Sequence, residues 1–273
     1  MKLLWSIKTY ADPWPSPFEY EAPIIKHNDN IHLFYKDFGK ICSVSDNGDI
    51  RVWTKVSKDT SLLLPNEWEY ISNDNIDYLV CSDELFLNLE TGVFEPNAPD
   101  SVAKEYTSIR VNQKNYESDS FEFDDYTIEH VGQWGYACKK GGKDLWVFKG
   151  RAYLYTYFMR YCNNLYFGTA GMGGYFYILN IETGEPLLSL KTGGTRRIAV
   201  KDNLCFIVTS TKKPELLCID LSSGDILDRI VLPGKGELYG RIDLIDGRIY
   251  AVTFEFDKRG VMLHAWFNCV ELD

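Results

Sequence analysis

The last copy of a repeat in this chain stops one strand short, and the first residues of the chain have the composition of the strand it lacks. The repeat is a grammar of strand, polar turn, strand, loop, strand, glycine turn, strand. One copy runs through Tyr161–Gly168, Tyr175–Gly184 and Leu187–Leu190, and the next through Val200–Ile207, Leu216–Gly224 and Ile226–Ile230. A third covers Leu244–Ala251 and His264–Asp273 and has no fourth strand. Met1-Lys2-Leu3-Leu4-Trp5-Ser6-Ile7-Lys8 suits that place, so the two ends are expected to pair, with strand 2–8 completing the last sheet. Such pairing removes the open edges that a stack of sheets would otherwise present.

Working backwards, Gly48, Gly92, Gly142, Gly184 and Gly224 fall at the same point of the grammar, at intervals of 44, 50, 42 and 40 residues by subtraction. A tight hairpin needs a residue at positive φ, which glycine adopts at no steric cost. Four-stranded propeller blades recur at about 40 to 50 residues. Five such turns and the split terminal unit predict an all-β fold: one closed β-propeller of about six four-stranded blades, spanning 1–273 as a single domain. Two small β-sandwiches sharing hairpin grammar are the alternative. Val, Ile, Leu, Tyr and Phe fill the strands, and no segment holds a helical period. Residues 96–130, where Glu117, Asp119, Glu122, Asp124 and Asp125 interrupt the pattern, read as a long acidic insertion in one blade.

The unit of apolar strand, acidic glycine turn and apolar strand in Leu179–Leu188 and Cys218–Leu227 resembles the repeats of quinoprotein-like, pyrroloquinoline-quinone-type β-propellers. The resemblance covers about the carboxyl-terminal 120 residues well and the rest loosely, and it implies fold rather than activity. Cofactor-using members of that superfamily carry adjacent cysteines and a calcium site. This chain has no adjacent cysteine pair, so the resemblance implies a cofactor-free member. Trp-Asp and Gly-His pairs do not recur at blade spacing, which sets the chain apart from WD-repeat propellers.

Charge narrows the partners. The 29 Lys and Arg against 39 Asp and Glu give a net charge of -10, which repels nucleic acid and anionic membranes at long range and favours a basic protein. No apolar run approaches the roughly 20 residues needed to cross a bilayer, and the amino terminus lacks a signal-peptide core. Seven dispersed cysteines, mostly with apolar neighbours, read as reduced core residues of a cytoplasmic protein.

No catalytic residues are assigned. The four histidines lack zinc spacing apart from the loose His27-x4-His32 pair, so no metal is expected. There is no Gly-x-Ser-x-Gly elbow. Gly168–Gly174 lacks the Lys-Ser/Thr of a phosphate loop and joins two strands, so it reads as a connection needing backbone freedom. Asp124 and Asp125 read as solvated acids before a calcium or acid–base pair.

Binding candidates come from position. Counting back from each first turn reaches Ile24, Glu69, Phe158, Arg197 and Arg241 at the start of the strand expected to line a central channel, with Arg196 and Tyr239 beside them. Arginines there suit a carboxylate or phosphate; pairing with acids between blades is the structural alternative. A second group is aromatic: Trp14 in a Pro-rich stretch, and Trp68 with Tyr70, on connections of the kind that carry protein-binding hot spots or plug blade junctions. The expected function is a non-enzymatic protein-binding propeller, in its narrower form an immunity or inhibitor protein neutralising a basic toxin. The alternative is a small-molecule-binding or enzymatic propeller with an arginine-containing channel site.

Overall fold

A computed structural model describes residues 1–10, 24–28, 30–37, 40–55, 69–73, 76–82, 85–95, 120–132, 135–151, 158–169, 173–195, 198–209, 211–235, 242–259 and 262–272. Among these residues every regular element is a strand. After β1 (Lys2–Tyr10), the first sheet comprises β2 (Ile24–His27), β3 (Asn30–Asp37), β4 (Lys40–Ser45) and β5 (Ile50–Lys55). The second holds β6 (Glu69–Asn73), β7 (Ile76–Ser82), β8 (Leu85–Asn88) and β9 (Val93–Glu95). The third holds β10 (Ser120–Phe123), β11 (Tyr126–Val131), β12 (Gly135–Lys140) and β13 (Lys143–Lys149). The fourth holds β14 (Met159–Tyr161), β15 (Asn164–Gly168), β16 (Tyr175–Asn180) and β17 (Pro186–Lys191). The fifth holds β18 (Ala199–Lys201), β19 (Leu204–Val208), β20 (Glu215–Asp220) and β21 (Ile226–Val231). In the sixth, β22 (Ile242–Ile245), β23 (Arg248–Phe256) and β24 (Met262–Glu271) are completed by β1.

All six are antiparallel meanders of four strands, the form that propeller blades take. The expected pairing of the chain ends is present: Lys2 faces Glu271, Ile7 faces Phe267 and Tyr10 faces His264. Middle strands such as β15, with all five residues buried, are covered on both faces, whereas outer strands such as β21 alternate between half-buried and exposed. That contrast explains why Leu165-Tyr166-Phe167 reads as an unbroken apolar run and Ile226–Val231 does not.

Five apolar junctions join the sheets in the order second, first, sixth, fifth, fourth, third. Trp53 and Phe34 of the first sheet meet Leu79 and Leu87 of the second; Tyr35 and Val44 meet Phe267 and Val252 of the sixth. Val270 and Ile249 meet Phe206 and Leu216 of the fifth, Ile207 and Leu217 meet Tyr166 and Phe176 of the fourth, and Phe167 and Tyr177 meet Tyr136 and Ile128 of the third. The remaining face of the second sheet carries its own buried group, Ile71, Tyr78, Val80 and Phe86.

The turns repeat one design. Gly48, Gly92, Gly142, Gly184 and Gly224 all have positive φ, between 69° and 85°. In Asn88–Gly92, Asn180–Gly184 and Asp220–Gly224 the first side chain accepts two backbone N–H bonds from the following turn residues. Next in each turn comes a fully buried apolar residue, Leu89, Ile181 or Leu221, whose N–H is tied to the carbonyl of Asp77, Asn163 or Asn203 respectively. An Asx side chain can thus hold the backbone while the following residue packs into a junction. Outer strands of neighbouring sheets cap these turns: Trp5 donates to Asp46 O and Trp146 to Ile181 O, each at 2.8 Å, and the Trp146 ring lies over Gly184.

Two expectations change. Residues 120–131 are not insertion: they form the first hairpin of the third sheet, and Asp124 is its turn residue at φ 54°, so at most 96–119 interrupts the repeat. Asn28 and Cys162 take positive φ, 48° and 51°, in the polar turns that follow β2 and β14. Cys162 is accordingly exposed, unlike the buried Cys42, Cys138, Cys205, Cys218 and Cys269.

Candidate functional site

An antiparallel meander sends its first and third hairpins to one end of the sheet and its second to the other, so each sheet has a turn end and a connection end. The described turns contain Asp46, Asp49, Glu90, Asp124, Asp125, Glu182, Glu185, Asp202, Asp225 and Asp246, and no Lys or Arg. Glycine, Asn and Asp are the residues that tolerate these backbone conformations, which is one local reason that carboxylates gather there.

Three cations on strand ends beside these turns bridge neighbouring sheets. Lys26 reaches Asp246 at 2.9 Å, Lys140 reaches Glu182 at 2.8 Å and Arg160 reaches Asp124 at 2.6 Å. The Lys140 ammonium also donates to the Tyr126 hydroxyl, which itself donates to Glu182. The bonds from Lys140 and Tyr126 hold the Glu182 carboxyl below its ordinary range. These pairs align the turn ends of adjacent sheets, which continue into one acidic rim. The side chains of Asp124 and Asp246 remain 83% and 62% exposed.

A different cluster lies beneath the rim, between the first and second sheets. The register sets Ile25 opposite His32, which brings His27 and His32 together on one face with ring centroids 6.3 Å apart. His27 Nδ1 donates to Asp77 Oδ2 at 2.6 Å, because a carboxylate only accepts, while its Nε2 accepts from the Asn28 amide at 3.0 Å. Tyr70 donates to the other oxygen of Asp77 at 2.8 Å. Trp53 Nε1 donates to Ser43 Oγ at 2.8 Å, which leaves the Ser43 hydroxyl proton for His32 Nδ1 at 3.0 Å. The Arg51 guanidinium stacks 3.6 Å from the centre of the Trp53 ring.

Electrostatics agree with this assignment. Burial, assisted by His27 and Arg51, pushes the His32 pKa down to about 4, so the ring is neutral. Burial and the bond to Asp77 push Tyr70 up to about 12. Burial would raise Asp77, but bonds from His27, Ser72 and Tyr70 outweigh it and hold the carboxyl below its usual value. A Ser–His pair beside a His–Asp pair is suggestive of acyl transfer. Here Ser43 is 0% exposed, with its oxygen already shared between Trp53 and His32, so the group acts as a polar clasp between two sheets.

Of the residues singled out in the sequence, Arg196, Arg197, Tyr239, Arg241, Trp14 and Trp68 lie outside the described residues. Glu69 opens β6, and its side chain is likewise outside. Tyr70 is described and turns inward to Asp77 as part of the clasp. Ile24 and Phe158 sit buried at the beginning of their sheets. The clasp was foreshadowed only by the His27-x4-His32 spacing: two strands joined by a tight turn place such residues as diagonal neighbours. Asp77 carries no such signal, since its contact spans 50 positions.

No protein-family model matches the chain, and no curated protein matches it. Among solved structures it is similar to BamB from Moraxella catarrhalis at 16% identity, over 89% of this chain and 71% of that one, with a TM-score of 0.37. It is similar to the computationally designed Ika4 protein at 14% identity, over 53% and 87% of the two chains, with a TM-score of 0.36. A quinohemoprotein alcohol dehydrogenase, ADHIIG from Pseudomonas putida HK5, is 11% identical over 72% of this chain and 41% of its own, with a TM-score of 0.36. Similarity at this level places the chain in no family.

Proposed function

We propose that the six sheets are the blades of a closed propeller acting as a non-enzymatic protein-binding module of the cytoplasm, and that its acidic turn end takes a basic protein. The observation that carries the reading is the acidic rim: ten carboxylates and no cation in the described turns, on hairpins fixed by side-chain caps and positive-φ residues. A rigid rim of one sign steers an oppositely charged partner and rejects others. Ring closure is supported by five apolar junctions and by the buried apolar face that the second sheet turns away from the first. In its narrower form the module is an immunity or inhibitor protein whose partner is a basic toxin such as a nuclease.

The tagged chain, incubated with its native cytosol, should retain one basic protein in near-equal amount. The triple variant Asp49→Lys, Glu185→Lys, Asp225→Lys, at exposed turn acids outside the inter-sheet ion pairs, should weaken that complex by at least about tenfold while leaving the melting temperature close to that of the parent. Recovery of no partner, or equal binding by the variant, overturns the reading.

A further inference from the structure

The connection end differs in charge from the turn end, most clearly on the fifth and sixth sheets. The loop between β19 and β20 carries Lys212 and Lys213, the loop between β23 and β24 carries Lys258 and Arg259, and the link from β21 towards β22 carries Lys235; all five are exposed. Backbone bonds hold the three segments side by side. Leu232 N donates to Pro214 O at 2.8 Å, Lys235 N donates to Phe254 O at 2.7 Å, and Phe256 N donates back to Lys235 O at 2.9 Å. The Thr253 hydroxyl donates to Pro233 O at 2.5 Å, which pins the same link to the sixth sheet.

Of the acids nearby, Glu255 meets Lys8 at 3.2 Å and Asp257 meets Arg259 at 3.0 Å, while Glu215 opens β20 just past the loop of Lys212 and Lys213. Lys212, Lys213, Lys235 and Lys258 make no ion pair among the described residues. At the turn end Lys26, Lys140 and Arg160 stitch sheet to sheet, so their charge is consumed by the fold. These four ammonium groups stitch nothing among the described residues, and backbone bonds tie their segments together.

We propose that the connection end of the fifth and sixth sheets is a second docking surface, for an acidic protein segment. Four ammonium groups on three adjacent ordered segments offer a segment rich in Asp or Glu several charge-assisted contacts with little ordering cost on this side. An acidic peptide fits better than nucleic acid. A polynucleotide adds charge along its whole length and meets the field of a chain of net charge -10. A short segment meets only the local patch, because the carboxylate rim at the other end of the strands lies beyond a screening length of about 8 Å at physiological salt.

The test uses the whole chain and a fluorescently labelled oligo-glutamate peptide, followed by anisotropy at physiological salt, with a single-stranded DNA oligonucleotide as competitor. Saturable peptide binding is expected. Lys212→Glu with Lys213→Glu and Lys258→Glu should weaken it by at least about tenfold, and the neutral Lys212→Gln, Lys213→Gln pair should weaken it less, with unchanged circular dichroism in both. The turn-end triple variant should keep the parent's peptide affinity, which separates this surface from the acidic rim. Absence of saturable binding, equal affinity in the Glu variant, or tighter binding of the oligonucleotide than of the peptide overturns the proposal.

Discussion

His32 shows how one side chain makes a sheet junction sensitive to its surroundings. Its ring is neutral in the native state because burial between two sheets, next to His27 and Arg51, depresses its pKa to about 4, while an unfolded histidine titrates near 6.5. Between those values the unfolded chain binds the extra proton, so stability is fully present above about pH 6.5 and falls as the pH drops towards 4. Asp77, held below its usual range, works in a separate and lower window, its contribution being lost only as the carboxyl itself protonates. Urea midpoints measured from pH 7.5 to 4.5 should therefore decline for the parent and decline less for His32→Phe, which cannot take the proton. Parallel slopes for the two proteins would remove His32 as the cause.

At the scale of elements, β1 matters more than its nine residues suggest. It is the outer strand of the sixth sheet, it places Trp5 and Ile7 against the Gly48 turn of the first sheet, and Met1 and Leu3 pack towards the fifth. One strand thus closes a sheet and seals two junctions. A chain beginning at Pro23 should lose several kcal/mol of stability, from lost apolar burial and an unpaired edge on β24, and should self-associate. Thermal denaturation and light scattering check this; an unshifted melting temperature in a monomeric truncation would mean the terminal pairing is dispensable. The bulges between the third and fourth strands, seen in the first, third, fourth and fifth sheets, are a second device at this scale, since an extra residue there twists the outer strand.

Across the whole molecule, stability and recognition draw on different forces. The junctions are apolar and salt leaves them nearly unchanged, whereas the acidic rim and the lysine patch act through charge that salt screens. Raising sodium chloride from about 0.1 M to about 0.5 M should weaken the basic partner's complex by tenfold or more while moving the melting temperature by only a few degrees. Calorimetry of the free protein beside titrations of the complex separates the two, and a complex indifferent to salt would argue for an apolar interface instead.

The sequence by itself determined the strands, the turn glycines and the pairing of the chain ends. Each follows from a local rule: period-two burial, positive φ at Gly184 or Gly224, and a repeat copy that lacks its fourth strand. Local rules reach less far where turn chemistry is ambiguous: Cys162, not the Asn163 that follows it, takes the positive φ of its turn. Reading Asp124 and Asp125 as part of an insertion failed for a related reason, since the acids that look like an interruption are themselves the hairpin turn of the third sheet. What only the tertiary structure decided is which charges meet. Lys26 finds Asp246 across 220 positions and His27 finds Asp77 across 50, whereas Lys212 and Lys258 find no acid among the described residues. Long-range electrostatic partners depend on how whole sheets are set against one another, and no pattern of neighbouring residues encodes that placement.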